Sequence, residues 1–464
     1  MKKTIVLYDD SRIPDRMIRN ITGNKSFGDT IYKRIPLRER TRAVAMQYPV
    51  CAGFYDLTEE WTEKSAGFAL LRLYSNMAIR DEDAFDVLIE KSVYAKECYQ
   101  IVQDGEIAAV IYPDADSFYR LKDHEQEFQM IRSNAFLNLA EVPAFRQFIT
   151  GGFDARFFNE LSGDAYTVIK KSTNAEKLRR EYTFFHLLPD EMKMWFAMPF
   201  DFRETSEGAS YSMERYHMTD LAIRYVHGAI STEEFREILE KLHRFLISRK
   251  GKQVTPEQYS ECMRELYVDK VRRRLNELKK SPLYGKLNDL LRASGMYDGI
   301  DALYAEYSRL YEKITGAMKF DPVLVIGHGD LCFSNILYSH EASFMKLIDP
   351  KGALTEEELY TDPFYDVAKL SHSICGAYDF FNSDLFEICL NDDLHFRLRV
   401  DCDNAEYVRM FGEFLDRLHM DRKLIRLYEA SLFLSMLPLH IDREKKVMGF
   451  LLNAAGILKE IEHE

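Results

Sequence analysis

The stretch VIGHGDLCFSNILYSHEASFMKLIDP, residues 325 to 350, holds Asp330, Asn335 and Asp349 at spacings suited to phosphoryl transfer. That chemistry asks for an acid to orient the attacking hydroxyl, oxygen ligands for Mg²⁺ and cations on the phosphates. Asp330 closes the apolar run VLVIGH, and Asn335 lies five residues on across a tight loop, giving D-x-x-x-x-N. An amide oxygen is a hard ligand that adds no negative charge beside the phosphates. ILYS, HEAS and FMKLI then read as strand, turn and returning strand, which brings Asp349 back to the mouth where Asp330 starts. Asp349 is thereby expected to be the principal Mg²⁺ carboxylate.

These groups need rigid elements to hold them, and the chain supplies three kinds. Residues 1 to about 140 read as an accessory α/β domain: TIVLY is a short apolar strand, EDAFDVLIEKSVYAKE has a helical period, and YQIVQDGEIAAVIYP is strand, Asp-Gly turn, strand. RLKDHEQEFQMIRSNAFLNLAEVPAF is expected to be a connecting helix closed by Pro143. From 141 to 216 the pattern is β-rich. FRQFIT runs into Gly151-Gly152, ARFFNEL and AYTVIKKS are two strands joined at Ser162-Gly163-Asp164, and AEKLRREYTFFHLL is an amphipathic helix. Residues 217 to 464 are mainly helical, as STEEFREILEKLHRFLISRK and the C-terminal RLYEASLFLSMLPLHIDREKKVMGFLLNAAGILKEI show by their period.

The ordered set H-G-D-x-x-x-x-N, hairpin, I-D-P resembles the aminoglycoside phosphotransferase and choline kinase group, small-molecule relatives of the protein kinases. The resemblance implies a bilobal α+β protein-kinase-like fold, with residues 141–216 as the β-rich lobe, 217–464 as the helical lobe and 326–350 as the catalytic loop. It implies ATP and Mg²⁺, with Asp330 accepting the acceptor's proton and Asn335 and Asp349 holding the metal. Gly151 and Gly152 fit the phosphate loop, Lys170 of V-I-K the phosphate-binding lysine, and Glu181 its helix partner, preferred to Glu176 because Leu178, Tyr182 and Phe185 share its face. By the same analogy the purine-binding hinge falls between Met213 and Tyr216. Asp366 in TDPFYDVAKLSH is implied to be a helix-start anchor, and His328 a support for the catalytic loop. A full G-x-G-x-x-G is missing, no aromatic follows Asp349, and neither HRD nor APE is present, which favours a small-molecule acceptor over a protein. Specificity is expected from residues 217 to 320 and SMLPLHIDRE; the acids of FNSDLFEICLNDD would suit a cationic acceptor, and a solvated face accounts for them equally.

Bulk properties agree with a large soluble enzyme. The chain has 464 residues, 46% of them hydrophobic and 30% charged, enough for two or three domains with substantial cores. A net charge of −13 argues against a sequence-independent grip on nucleic acid. MKKTIVLYDD has too short an apolar core for a signal peptide, and no run approaches a membrane span, so a cytoplasmic location is expected. The seven cysteines are scattered, with no CxxC pair. VIYPDADSF places Asp114 and Asp116 as a D-x-D after a strand, either a nucleotidyltransferase-like metal site or a polar turn. The expected activity is ATP-dependent phosphorylation of a small-molecule hydroxyl, with a place in surface polysaccharide metabolism as context. The alternatives are a nucleotide-binding pseudokinase or scaffold, and a bifunctional kinase whose N-terminal domain is nucleotidyltransferase-like.

Overall fold

The structure is a computed structural model that describes residues 3–32, 34–62, 67–150, 159–164 and 166–463. It divides into two compact units, Met1–Asp154 with His227–Ala229, and Ala155–Val226 with Ile230–Glu464.

The first unit is built on a six-stranded mixed sheet. Its strands are β1 (Thr4–Asp9), β2 (Cys51–Asp56), β3 (Ala69–Tyr74), β4 (Tyr99–Gln103), β5 (Glu106–Tyr112) and β6 (Gln129–Arg132), in the spatial order β2-β1-β3-β5-β4-β6. TIVLYD is buried at every position, as a central strand covered on both faces requires. The Asp104-Gly105 turn between β4 and β5 has φ of 50° and 86°, the left-handed pair of a tight hairpin.

Two expectations for this part of the chain need correction. The stretch 120–145 is not one helix: β6 pairs in parallel with β4, and Phe136–Asn138 pairs with Met77–Ile79. Short strands of this kind take their stability from neighbours distant in sequence, which no local period reports. Pro143 opens the helix α3 (Val142–Ile149) rather than closing one, because the first turn of a helix has no use for the amide hydrogen that proline lacks. That helix groups with the first unit. The reason is aromatic packing: Phe145 meets Phe27 at 6.5 Å between ring centroids, and Phe148 stacks on Tyr32 at 4.1 Å. (Helices α1, Glu82–Ser92, and α2, Ala115–Leu121, precede it.) The D-x-D resolves as a helix start. Asp114 caps α2 by accepting from the Ser117 amide at 2.8 Å, and Asp116 is exposed in the first turn.

The second unit has the bilobal α+β arrangement. Its smaller lobe is a four-stranded antiparallel sheet of β7 (Asn159–Gly163), β8 (Thr167–Ser172), β9 (Pro199–Thr205) and β10 (Gly208–Glu214), ordered β7-β8-β10-β9. Helix α4 (Ala175–Leu187), capped by Asn174, buries Leu178, Glu181, Phe184 and Phe185. The larger lobe is helical. It includes α5 (Thr232–Ser248), α6 (Lys270–Leu278), α7 (Tyr365–Ile374), α8 (Arg422–Met436) and α9 (Glu444–His463). SLFLSM and GFLLNAAGIL are apolar around most of the helix, so both are enclosed.

A short strand, β11 (Val323–Ile326), leads to the catalytic-loop candidate, and the hairpin β12 (Ile336–Ser339) and β13 (Phe344–Leu347) follows it. The hairpin is tied to the smaller lobe: the Leu347 amide donates to the Trp195 carbonyl at 2.7 Å, and the Ala197 amide to the Leu347 carbonyl at 3.1 Å. All seven cysteines are free thiols. Among the described residues no helix is long and apolar enough to cross a membrane.

Candidate active site

The loop after β11 is held by buried polar groups. Asp366, wholly buried at the start of α7, accepts from the His328 amide at 2.9 Å and the Gly329 amide at 2.8 Å, and pairs with buried Arg249 at 3.3 Å. His328 Nδ1 accepts from the Asp330 amide at 3.2 Å, so Nε2 carries the hydrogen and donates to the Ile348 carbonyl at 2.9 Å. Burial pushes the His328 pKa down against the pull of Asp366 and Asp330, which keeps the ring neutral in this bridging role. Gly329 has φ of 77°, and a Cβ there would fall 2.6 Å from that of Lys351. Only glycine fits so close a crossing of two segments.

Asn335 links this loop to both acids, by its side chain to Asp330 and by its backbone to the residue before Asp349. Asn335 Nδ2 donates to the Asp330 carbonyl at 2.8 Å and to its Oδ2 at 3.2 Å, so a metal could be met only by its amide oxygen. The Ile348 amide donates to the Asn335 carbonyl at 3.0 Å, so Asp349 follows directly on the residue bonded to Asn335. Asp349 has φ of 55°, the left-handed conformation that turns its carboxylate out of the strand line. The side chains of Asp330 and Asp349 are 43% and 40% exposed, against 3% for Lys170, so the acids are open to solvent while the lysine is enclosed.

Lys170 joins the two lobes of the site. Its Nζ donates to Glu181 Oε2 at 2.6 Å and to Asp349 Oδ1 at 2.8 Å. Burial lowers its pKa, and the Asp349 and Glu181 carboxylates more than reverse this, so it stays charged. Tyr211 adds a hydrogen bond to Glu181 at 3.0 Å, fixing the glutamate from the sheet side. Strand alternation sends Lys170 inward and Lys171 to the exposed face, and Glu176 is exposed in the first turn of α4.

The remaining sequence candidates separate. Met213 lines a small pocket with Glu181, Phe184, Phe196, Leu347 and Asp349. Tyr216 instead lies with Phe344 of the hairpin at 6.3 Å and under Lys346 at 5.6 Å, its hydroxyl on Glu214. Gly151 and Gly152 lie outside the described residues. The acids of FNSDLFEICLNDD are surface groups: Asp384 pairs with Lys445 at 2.8 Å and Glu387 with Arg399 at 3.0 Å. They are drawn into these exposed pairs because Phe386–Leu390 and Phe396–Val400 form a two-stranded hairpin whose outward positions face water.

One site residue was not read from the sequence. Lys369 on α7 sets its Nζ 2.8 Å from Asp330 Oδ1. Burial raises the Asp330 pKa, but Lys369 and the Asn335 amide outweigh it, and the carboxyl ends below its ordinary range. The available signal was its helical phase: Lys369 stands three residues after the anchor Asp366, one turn along α7.

No protein-family model and no curated protein matches the chain. Among solved structures there are matches. The chain is similar to aminoglycoside phosphotransferases. That of Streptomyces rimosus is 17% identical, with a TM-score of 0.32, 64% of this chain and 98% of that one covered. An aminoglycoside 2'-phosphotransferase in complex with GDP is 13% identical at a TM-score of 0.40, covering 67% and 91%. Choline kinase from Cryptosporidium parvum is 12% identical at a TM-score of 0.38, covering 67% and 87%.

Proposed function

We propose that the second unit is an ATP- and Mg²⁺-dependent phosphotransferase acting on a small-molecule hydroxyl. The observation that carries this reading is internal to the chain: Lys170, clamped by Glu181, reaches Asp349, and Asp349 stands beside the Asn335–Asp330 pair. These contacts support the roles of Lys170 as the phosphate-holding cation, Asn335 and Asp349 as metal ligands and Asp330 as the base.

The donor set fits Mg²⁺, which prefers carboxylate and amide oxygens and keeps several waters, so two protein ligands suffice. Asn335 Oδ1 and Asp349 would hold it. When bound, the ion supplies charge neutralisation on the β and γ phosphates. Lys170 exchanges part of its bond to Asp349 for the nucleotide's phosphate oxygens while Glu181 keeps it oriented. Asp330, kept ionised by Lys369, accepts a hydrogen bond from the acceptor hydroxyl and turns its oxygen toward the γ-phosphorus. The new P–O bond forms as the bond to the β,γ-bridging oxygen breaks, ADP departs with that electron pair, and the hydroxyl proton passes to Asp330.

The test is mass spectrometry of the full chain with Mg·ATP and a mixed panel of sugars, amino alcohols, nucleosides and aminoglycosides, run beside Asp330→Asn. A product heavier by about 80 mass units, one HPO₃ as transfer requires, that disappears in the variant supports the reading. Failure of the parent to bind or turn over Mg·ATP under any acceptor overturns it.

A further inference from the structure

The surroundings of Asp330 say what kind of alcohol the site is built for. Tyr365 and Lys369 are one turn apart on α7 and share a face. Lys369 Nζ is on Asp330 at 2.8 Å, and Lys270 Nζ, from the first turn of α6, donates to the Tyr365 hydroxyl at 2.9 Å. Two ammonium groups therefore flank one phenol beside the candidate base. Tyr365 registers both: burial alone would raise its pKa, yet Lys369 and Lys270 bring it below the ordinary tyrosine value.

Only one of these two cations is in an ion pair among the described residues. Among the described residues Lys369 pairs with Asp330, and Lys270 forms no ion pair. Glu265, the acid whose charge reaches Lys270, is bonded twice by Arg273. A turn further along α7, His372 is buried with both ring nitrogens unpartnered among the described residues. Burial, and then the charges of Lys369, Lys446 and Lys270, hold it neutral. The wall beside Asp330 thus presents two ammonium groups, of which Lys369 is paired to a carboxylate and Lys270 to a phenol hydroxyl, an excess of one cation that an anion on a ligand would answer.

We propose that the acceptor is an alcohol bearing an anionic group, a carboxylate or a phosphate, which docks between Lys270 and Lys369 and places its hydroxyl on Asp330. The proposal rests on the phosphotransferase reading and names its substrate class. Lysine suits this position because the ammonium has three donors: Lys369 keeps one on Asp330 and offers the others to the anion. A cationic amine or quaternary ammonium would instead approach two like charges, so the surface acids of FNSDLFEICLNDD do not define the acceptor.

The experiment uses the full chain saturated with Mg²⁺ and a non-hydrolysable ATP analogue, so that the nucleotide's own phosphate positions are filled. Sulfate, a small anion probe, is titrated in by calorimetry, with Lys270→Met and Lys270→Arg alongside. Saturable binding that weakens at least tenfold in Lys270→Met and persists in Lys270→Arg supports the site. Absence of saturable binding, or binding indifferent to Lys270→Met, overturns it. Should Lys270→Met fold poorly by circular dichroism, Lys270→Gln keeps a polar hydrogen-bond donor on the side chain and removes the charge. Displacement of sulfate is then measured with glycerate, glycerol 3-phosphate, glycerol and ethanolamine. Displacement by glycerate identifies a carboxylate acceptor and by glycerol 3-phosphate a phosphate one; displacement by ethanolamine or glycerol alone refutes an anionic acceptor. Binding of the ATP analogue is recorded separately with Asp349→Ala. If the analogue fails to bind while sulfate binds through Lys270, the phosphotransferase reading falls and the anion site stands.

Discussion

Replacing Asp366 by alanine should loosen the catalytic loop and destabilise the second unit by an amount that can be worked from its contacts. The carboxylate receives two buried amides, those of His328 and Gly329, and one buried guanidinium, that of Arg249. Each orphaned amide costs roughly 1–3 kcal/mol, and the low end applies because a loop can relax, giving about 2 kcal/mol for the pair. Arg249 keeps its bonds to the Leu246 and Pro363 carbonyls and the more distant charge of Asp362 but loses its paired carboxylate while remaining enclosed, at about 3 kcal/mol. The total is about 5 kcal/mol, which for a unit of this size lowers the thermal midpoint by roughly 10 °C. A double variant, Asp366→Ala with Arg249→Met, removes the stranded charge as well. It should be less destabilised than the sum of the single changes by about 2 kcal/mol, a coupling that contact through one carboxylate predicts. Differential scanning calorimetry of the four proteins gives both quantities. Activity should fall about a hundredfold in Asp366→Ala, since a displacement near 1 Å at a positioned base has that effect. A midpoint within about 2 °C of the parent, or strictly additive single changes, would refute the assignment of Asp366 as the loop's anchor.

Three further outcomes are expected. In Lys369→Met, Asp330 loses the cation that offsets its burial, so its pKa rises and the acidic limb of the kcat/KM profile moves to higher pH; a limb that stays in place removes Lys369 from the site's electrostatics. Glu181→Gln should weaken Mg·ATP binding roughly tenfold, the worth of about one charge-assisted hydrogen bond, whereas Glu176→Gln should leave it unchanged, as read by titration of a fluorescent ATP analogue. Asp379, wholly enclosed, is pushed up to about 7 by burial, partly offset by Ser373. An unfolded aspartate titrates near 3.9, so between about 4 and 7 the native state holds a proton that the unfolded chain has released, and this group's stabilisation is lost as pH rises through that window. Asp379→Asn should flatten urea-measured stability between pH 5 and 7 by up to about 1.4 kcal/mol per pH unit, and an unchanged slope would show that the carboxyl is not protonated in the fold.

Much of the site is local and so was legible in the residue order. D-x-x-x-x-N lies within one loop, and the step to Asp349 is a hairpin whose ladder, Ile336–Leu347 to Ser339–Phe344, follows from two short apolar runs around a polar turn. The inward Lys170 and outward Lys171 follow from the two-residue period of a strand, and Glu181 from the apolar face it shares on α4. Reading stopped where elements depend on distant partners. The strand Gln129–Arg132 is exposed at all four positions and exists because β4 offers it a backbone edge. Nothing in QMIR itself announces that, and neither does anything in the acids at 384 to 393 announce which cations will meet them.

What the amino-acid order determined by itself is the list of reactive groups and the short-range geometry linking Asp330, Asn335 and Asp349. The tertiary structure alone decided which charges face one another: Lys170 with Asp349 across 179 positions, and Lys369 with Asp330 across two elements that no period connects. Spacing fixes direction only within a helix or a strand, where each residue's rotation is known from the last. Between elements it is packing of their apolar faces that sets the approach, and the charged side chains meet wherever that packing leaves them.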